Sequence, residues 1–248
     1  MRKIVFLMAL LSNLAFANYE LERQCNNGNA GSCVDLGNLY YDGKGVKQDY
    51  KKASELYNKA CEMNNAKGCY HLGYLYNFGE GVKQDYKKAS ELYNKACEMN
   101  NAEGCAYLGY LYEFGYGVRQ NYKKASELYN KACEMNNALG CNNLGILYYN
   151  GKGVKQDYKK AMKFVIKTCE IDTEICENTL EELYIENSDY KNLMDIGNNL
   201  CEKDNAFGCI LLGGLYYNGF GVKQDYKRAI KFLNKACDLG LKDACKKF

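Results

Sequence analysis

The chain has 248 residues, with 33 lysines and arginines against 30 aspartates and glutamates. This near balance gives no general attraction to nucleic acid or to an anionic membrane surface, and no nucleic-acid partner is predicted. The sequence contains no proline, which suits an almost entirely helical chain because proline breaks helix interiors. An all-α fold is therefore expected.

Residues 1–17 have the pattern of a secretory signal peptide. Arg2 and Lys3 precede an apolar stretch over residues 4–11, and residues 15–17 fit an A-x-A cleavage site. The apolar stretch is too short to span a bilayer, so we expect cleavage after Ala17 rather than a membrane anchor. The mature protein is then expected to have no membrane span and to be secreted or periplasmic.

The mature chain repeats about every 36 residues. In the copy over residues 66–101, apolar and small residues recur at helical steps from Ala66 to Tyr76 and again from Tyr86 to Ala96. Between them, the glycines of Gly79-Glu80-Gly81-Val82 allow a tight reversal, and Asp85 is placed to cap the second helix. Each copy is therefore predicted to be a helix-turn-helix hairpin. Such hairpins stack into a solenoid because each buries its apolar face on its neighbours.

We predict a single repeat solenoid over residues 18–248, with a right-handed superhelical course. The predicted hairpins cover about 30–65, 66–101, 102–137, 138–171, 172–205 and 206–240, with a C-terminal cap at 241–248. The hairpin at 172–205 is degenerate, since it is shorter and has residues 183–187 in place of the Gly-x-Gly-Val turn. Whether it is a decayed spacer or a specialised site stays open at this level.

The Gly-x-Gly turns do not predict a nucleotide site. They follow a helix instead of a strand, and they recur five times along the chain. A phosphate-binding turn needs a strand before it and a helix after it, so a simple helix–helix connection is the better interpretation.

The repeat frame resembles the Sel-one-like subclass of tetratricopeptide-type repeats. The shared features are the alanine that opens each copy, the Leu-Gly-x-Leu-Tyr run at 72–76, the Gly-x-Gly-Val turn and the Asp-Tyr-Lys-Lys-Ala start of the second helix. With a cysteine pair in each copy and a signal peptide in front, the chain resembles the secreted Helicobacter cysteine-rich protein family. Some members of that family are described as penicillin-binding or β-lactamase-like, so the resemblance implies β-lactam hydrolysis.

Fourteen cysteines stand in seven close pairs. The pairs are Cys25/Cys33, Cys61/Cys69, Cys97/Cys105, Cys133/Cys141, Cys169/Cys176, Cys201/Cys209 and Cys237/Cys245. Bridges within these pairs use every cysteine, whereas bridges between the two helices of one hairpin leave Cys25 and Cys245 without partners. We therefore predict disulfides that join each hairpin to the next, in an oxidising compartment. Zinc prefers cysteines two to four residues apart, so no metal site is predicted, and no cofactor either.

The first helices differ between copies, whereas the second helices hardly change. Residues 46–66 and 82–102 are identical, for example. The changing positions of the first helix follow i, i+1, i+4 spacing and so share one face. They are Val34, Tyr70, Ala106, Asn142 and Ile210; Asp35, His71, Tyr107, Asn143 and Leu211; and Asn38, Tyr74, Tyr110, Ile146 and Gly214. We predict that this tyrosine-rich face lines a concave groove for a peptide, a protein or a peptidoglycan-like or β-lactam ligand. The alternative is that these residues only repack against a neighbouring helix.

An enzyme is the second functional class. A serine β-lactamase needs S-x-x-K, S-D-N and K-T-G elements, and the chain has one S-x-x-K, from Ser188 to Lys191, and neither of the others. Ser188 and Lys191 are therefore the catalytic candidates, although Ser188 stands where a helix begins and a capping role is favoured. A monomeric scaffold that binds a ligand and a β-lactam hydrolase both stay open.

Overall fold

The structure, a computed structural model, describes residues 17–185 and 188–241, which are helical and contain no strand. The chain divides into two compact units, an N-terminal unit that ends at Leu128 and a C-terminal unit that starts at Tyr129. The predicted all-α fold of disulfide-stapled helical hairpins is confirmed. The right-handed course and the single solenoid over 18–248 stay predictions.

The described helices follow the predicted repeat frame. The helices that begin in the N-terminal unit are α1 (residues 17–26), α2 (Ala30–Asp42), α3 (Tyr50–Glu62), α4 (Ala66–Phe78), α5 (Tyr86–Glu98), α6 (Ala102–Phe114) and α7 (Tyr122–Glu134). Those of the C-terminal unit are α8 (Ala138–Asn150), α9 (Tyr158–Ile171), α10 (Thr173–Leu180), a π-helix (Glu181–Ile185), α11 (Tyr190–Glu202), α12 (Ala206–Asn218) and α13 (Tyr226–Asp238). None of the helices in the described part is long and apolar enough to cross a bilayer.

Asparagine and aspartate set the start of the helices. The Asp85 carboxylate accepts a hydrogen bond from the Lys88 backbone N–H at 3.0 Å, as predicted for the cap of a second helix. In the pair Asn100-Asn101, the first residue has a positive φ of 60° and the second caps α6 by accepting from the Gly104 N–H. Since these side chains satisfy otherwise unpaired helix N–H groups, the caps fix where each helix begins.

Glycines in the repeat frame allow close packing. A Cβ on Gly73 would lie 2.9 Å from the ring of Tyr93, so the tyrosine of the second helix packs directly on the first. Gly81, in the Gly-x-Gly turn, has a φ of 68°, and a Cβ there would lie 2.4 Å from the backbone of Tyr50. The turn is thus a packing contact with the preceding hairpin, in agreement with its interpretation as a helix–helix connection.

Disulfides join the end of one hairpin to the start of the next. The six bonds between described residues are Cys25–Cys33, Cys61–Cys69, Cys97–Cys105, Cys133–Cys141, Cys169–Cys176 and Cys201–Cys209. Each closes a loop that contributes about 2–3 kcal/mol in the chain-entropy treatment. Their twelve sulfurs are therefore not available as metal ligands.

A lysine contact reinforces several of these junctions. The Lys95 ammonium group donates to the carbonyl of Cys61 at 2.8 Å, and Lys235 does the same to Cys201 at 2.7 Å. In both cases the donor lies 34 residues after the acceptor. The carbonyl at the end of one second helix is thereby satisfied by the second helix of the next hairpin.

The degenerate hairpin is the main departure from the repeat frame. Where the other hairpins have a glycine turn, Glu181–Ile185 forms a π-helix, and its Leu183 and Tyr184 are buried. The favoured capping role of Ser188 is wrong, because Asp189 is the N-cap of α11 and its carboxylate accepts from Asn192. Ser188 precedes the cap in a left-handed conformation, with a φ of 56°.

Three predictions fall outside the described residues. Residues 1–16 of the predicted signal peptide, most of the predicted C-terminal cap and one member of the seventh cysteine pair, Cys245, are not described. These predictions remain untested.

Candidate functional site

Aromatic rings from first and second helices of the N-terminal unit form a cluster. We call Tyr57, Tyr70, His71, Tyr74, Tyr93 and Tyr107 the aromatic cluster. His71 stacks on Tyr57 with 4.9 Å between ring centroids and lies 5.0 Å from Tyr70. Tyr107 stacks on Tyr93 at 5.4 Å and lies 5.8 Å from Tyr70. Rings at these separations support one another, which holds the half-buried members in place.

A cleft of about 390 Å³ opens beside this cluster. Its lining residues are Asn38, Tyr41, Asp42, Tyr57, Tyr70, His71, Tyr74 and Leu75. The Tyr57 hydroxyl donates to Asn38 Oδ1 at 2.8 Å, which fixes the amide at the wall of the cleft. The cleft therefore combines flat apolar rings with hydroxyl, amide, imidazole and carboxylate groups.

Burial keeps Tyr57, Tyr70 and His71 of this cleft neutral. It raises the pKa of Tyr57 and of Tyr70 above the ordinary tyrosine value, so both hydroxyls stay protonated. It also lowers the pKa of His71, with an opposing effect of the Glu103 carboxylate. At neutral pH these groups can donate and accept hydrogen bonds without a charge of their own.

The Tyr93 hydroxyl differs from its counterpart in the preceding hairpin. Tyr93 is fully buried, and its hydroxyl has no hydrogen-bond partner among the residues that the structure describes. Tyr57 occupies the same place in an identical helix but has the Asn38 amide within reach. The difference arises because the position of Asn38 is taken by Tyr74 in the next copy.

Not every predicted groove residue faces a cleft. Val34 and Ala106 are buried in the packing between helices, so their placement in the groove is wrong. Asn142 is buried too, and its amide oxygen accepts a hydrogen bond from Thr179 of α10. The first of the three changing positions therefore packs inward in these copies, where the residue is small enough or has a buried partner.

The remaining predicted positions of these copies lie apart from the cleft. Asp35 is exposed, and Tyr110 is about one-third exposed and packs on Phe114 with 4.6 Å between ring centroids. Asn143 accepts a hydrogen bond from Asn142, and Ile146 packs against the core of the C-terminal unit. The predicted face is thus not one continuous lining.

The C-terminal unit has a second cleft, of about 360 Å³. The predicted positions Ile210, Leu211 and Gly214 line it, from α12. Its other lining residues were not predicted from the sequence. They are Glu177, Leu180, Glu181, Ile185, Tyr190, Leu193, Phe207, Leu215, Asn218 and Phe220. Most of them belong to the degenerate hairpin, whose irregular sequence hides the helical face.

In the N-terminal cleft, the residues missed were Tyr41, Asp42, Tyr57 and Leu75. Tyr57 belongs to the nearly unchanging second helix, so a comparison that looked only for changing positions could not find it. The usable signal was the recurrence of a tyrosine four residues before each cysteine of α3, α5 and α7. A large residue at that step must meet the glycine of the facing helix.

The two catalytic candidates lie on the exposed surface and not in an enclosed site. Ser188 and Lys191 are both exposed at the start of α11. A serine nucleophile needs an adjacent base and a desolvated position, and an exposed side chain lacks the second of these. The expected β-lactam hydrolysis therefore gains no support from this region.

The sequence signature of the Sel1 repeat matches residues 30–65, 66–101, 102–137, 138–171 and 206–241. The matches leave out the degenerate hairpin. A search for similar curated proteins found no match.

Several solved structures are similar to this chain. The protein c5321, a protective antigen present in uropathogenic Escherichia coli strains and displaying an SLR fold, is 26% identical over 92% of this chain, with a TM-score of 0.68. This chain spans only 50% of that protein. A Sel1 repeat protein from Oxalobacter formigenes is 27% identical over 85% of this chain and 88% of its own, with a TM-score of 0.62.

Cysteine-rich protein B of Helicobacter pylori is 38% identical over 55% of this chain and 98% of its own, with a TM-score of 0.43. With Sel1 repeats over more than half of its length, the chain belongs to the Sel1 repeat family, and in sequence it is similar to the Helicobacter cysteine-rich proteins.

Proposed function

We propose that this protein is a protein-binding scaffold whose N-terminal cleft receives an extended peptide segment of its partner. The aromatic cluster beside the cleft is the observation that carries the proposal. Tyrosine supplies a large contact area with few rotatable bonds, and its hydroxyl can pair with a peptide N–H or C=O. Rings that already pack on one another lose little further freedom on binding.

The polar groups of the cleft suit a peptide backbone. The Asn38 amide and the neutral His71 imidazole offer donors and acceptors next to the faces of Tyr70 and Tyr74. An extended peptide presents N–H and C=O groups at every residue, and alternate side chains can lie against the rings. Asp42 at the edge of the cleft is ion-paired with Lys44 at 2.7 Å, so it adds little net charge to the surface that a bound segment meets.

The disulfides bear on where this binding takes place. Six bridges among the described residues form and persist only in an oxidising environment, so we propose that the protein works outside the cytoplasm, secreted or in the periplasm. Thiol labelling of the protein from separated cell fractions tests this. Full protection in the exported fraction is expected, and free thiols in that fraction would contradict it.

The binding proposal is tested with a random twelve-residue peptide display library selected on the oxidised protein. We expect selected peptides to lose at least tenfold in affinity for Tyr70→Ala/Tyr107→Ala, since both rings would be removed. The variant Tyr70→Phe/Tyr107→Phe keeps the rings and removes only the hydroxyls, so it should lose less.

Tyr217→Ala/Tyr226→Ala is the matched control, because these rings also form a contact, at 5.3 Å, but lie in the C-terminal unit. Peptides that bind the cleft should be unaffected by it. If the selected peptides bind Tyr70→Ala/Tyr107→Ala as tightly as the parent protein, the aromatic cluster is not the binding site.

A further inference from the structure

The C-terminal cleft owes part of its space to a missing side chain. Gly214 takes the position of Tyr74, and a Cβ added there would meet no atom within 4 Å. Gly197 stands four residues before Cys201, where α3, α5 and α7 have a tyrosine, and Leu212 packs against it. The volume that the Tyr74 ring fills in the N-terminal unit is therefore open at Gly214, whereas Leu212 fills the space beside Gly197.

The wall opposite α12 is the segment that departs most from the repeat. Glu181 and Ile185 line the cleft from the two ends of the π-helix. A π-helical turn inside a helical stretch is rare and is frequently found at functional sites. The degenerate hairpin therefore has the properties of a specialised surface.

Apolar side chains stay accessible at this cleft. Ile185 and Phe220 are 42% and 44% exposed, and the ring of Phe220 stacks on Tyr190 at 5.2 Å. Leu180, Leu193 and Leu215 form the buried floor. Exposed apolar groups around an apolar floor are typical of a surface that a partner covers.

The charges around the cleft define what that partner must carry. Glu177 and Glu181 are exposed carboxylates in its lining. They belong to a stretch, residues 168–190, that contains eight aspartates and glutamates and no lysine or arginine, although the whole chain has a small excess of positive charge. An apolar ligand with positive charges at its edge complements this surface, and an acidic one is repelled.

We propose that the C-terminal cleft is a second binding site, which takes a cationic amphipathic peptide segment of a partner. Leucine-sized side chains of that segment would occupy the space above Gly214, and its lysines or arginines would face Glu177 and Glu181. The site is independent of the N-terminal cleft, since it shares no residue with it.

The test uses two labelled fourteen-residue helical peptides, one of leucine and lysine and one of leucine and glutamate in the same order. Fluorescence anisotropy with the oxidised full chain should show binding of the lysine peptide only. Gly214→Leu should weaken it more than tenfold, because the leucine side chain would occupy the cleft from a position where a Cβ meets no atom within 4 Å. Gly214→Ala, which adds one methyl group, should weaken it less.

The contribution of the two carboxylates to binding is tested by Glu177→Gln/Glu181→Gln, which removes their charge and keeps the size of both side chains. We expect a loss of about three- to tenfold at low salt, as for two exposed ion pairs, and a smaller loss at high salt. Thermal unfolding of each variant checks that the fold is retained. Tyr70→Ala/Tyr107→Ala should bind the lysine peptide as the parent does, which separates this site from the proposed function.

Three results would overturn the inference. They are equal binding of the glutamate peptide, no binding of the lysine peptide, and lysine-peptide binding that a folded Gly214→Leu variant leaves unchanged.

Discussion

The two clefts occupy the same place in the repeat frame and have opposite character. In the N-terminal unit α4 presents two tyrosines and a histidine to its cleft. At the same three positions α12 presents Ile210, Leu211 and Gly214. The helices around these positions keep the same caps, the same disulfide and the same packing glycines. Three side chains of a first helix can thus change the chemistry of a cleft without changing the hairpin.

In each unit the preceding hairpin forms the other wall of the cleft, and the two walls also differ. Five residues after the cysteine of the first helix, the N-terminal unit has Asn38 and the C-terminal unit has Glu181. Four residues before the cysteine of the second helix, Tyr57 contrasts with Gly197. One wall therefore carries a neutral amide held by a hydroxyl, and the other carries the carboxylate of Glu181, while Leu212 packs where a tyrosine ring would lie.

The largest expected effect concerns the disulfide that each unit has at the start of the first helix lining its cleft. Replacing Cys61 and Cys69 by serine should lower the free energy of unfolding by about 2–3 kcal/mol, and so should the same change at Cys201 and Cys209. Urea unfolding of the oxidised variants measures it. If only one pair has this effect, the two clefts do not depend on their bridges in the same way.

A pair of adjacent glycines tests the origin of the open space in the C-terminal cleft. Gly213→Ala should cost about 1–3 kcal/mol, because its Cβ would lie 2.7 Å from Leu233. Gly214→Ala should stabilise α12 by about 0.5–1 kcal/mol, since alanine favours helix and meets no neighbour. Urea midpoints compare them, and a destabilising Gly214→Ala would mean that the space is not free.

Two buried tyrosines in identical helices test the polar side of the N-terminal cleft. Tyr57→Phe removes the donor to Asn38 and should cost about 0.5–1.5 kcal/mol. Tyr93→Phe removes a buried hydroxyl without a described partner and should be neutral or slightly stabilising. Equal losses in thermal unfolding would show that the Tyr93 hydroxyl also makes a stabilising hydrogen bond.

The smallest expected effect is a dependence on pH. Burial lowers the pKa of His71 in the folded chain, Lys67 lowers it further, and Glu103 acts in the opposite direction. Below the ordinary histidine pKa the unfolded chain binds a proton that the folded chain refuses, so stability should fall as the pH drops from 7 to 5. His71→Gln should remove this part of the slope, and an unchanged slope would contradict the assignment.

The helices and their junctions could be read from the sequence because their signals are local. Asp85 caps the helix that follows it, and Cys61 and Cys69 meet across one short connection. The clefts were predicted only in part, since a lining depends on three helices packed together. Tyr57 lies in a helix with almost no variation between copies, and Val34 follows the same spacing as Tyr70 but is buried.

The degenerate hairpin shows a different limit. A π-helix has one more residue in its hydrogen-bonded turn than an α-helix. The spacing of apolar residues over 181–185 does not predict this extra residue. The sequence predicted Ser188 as the N-cap of α11, whereas the structure has Asp189 there. Either residue type can cap a helix, and the backbone conformation decides which one does. The position of such a segment can thus be predicted from the sequence, but its type of helical turn and its capping residue cannot.

The hydrogen bond from a lysine to the cysteine carbonyl of the preceding hairpin has a consequence for how a repeat protein gains copies. Each standard hairpin contains an acceptor, the carbonyl of the cysteine that ends its second helix, and a lysine two residues before that cysteine which can serve the hairpin behind it. A duplicated segment therefore arrives with complementary ends and needs no new mutation to be joined in register. Lengthening the array is then a single genetic event, and later substitutions on the first helices are free to give each added copy its own specificity.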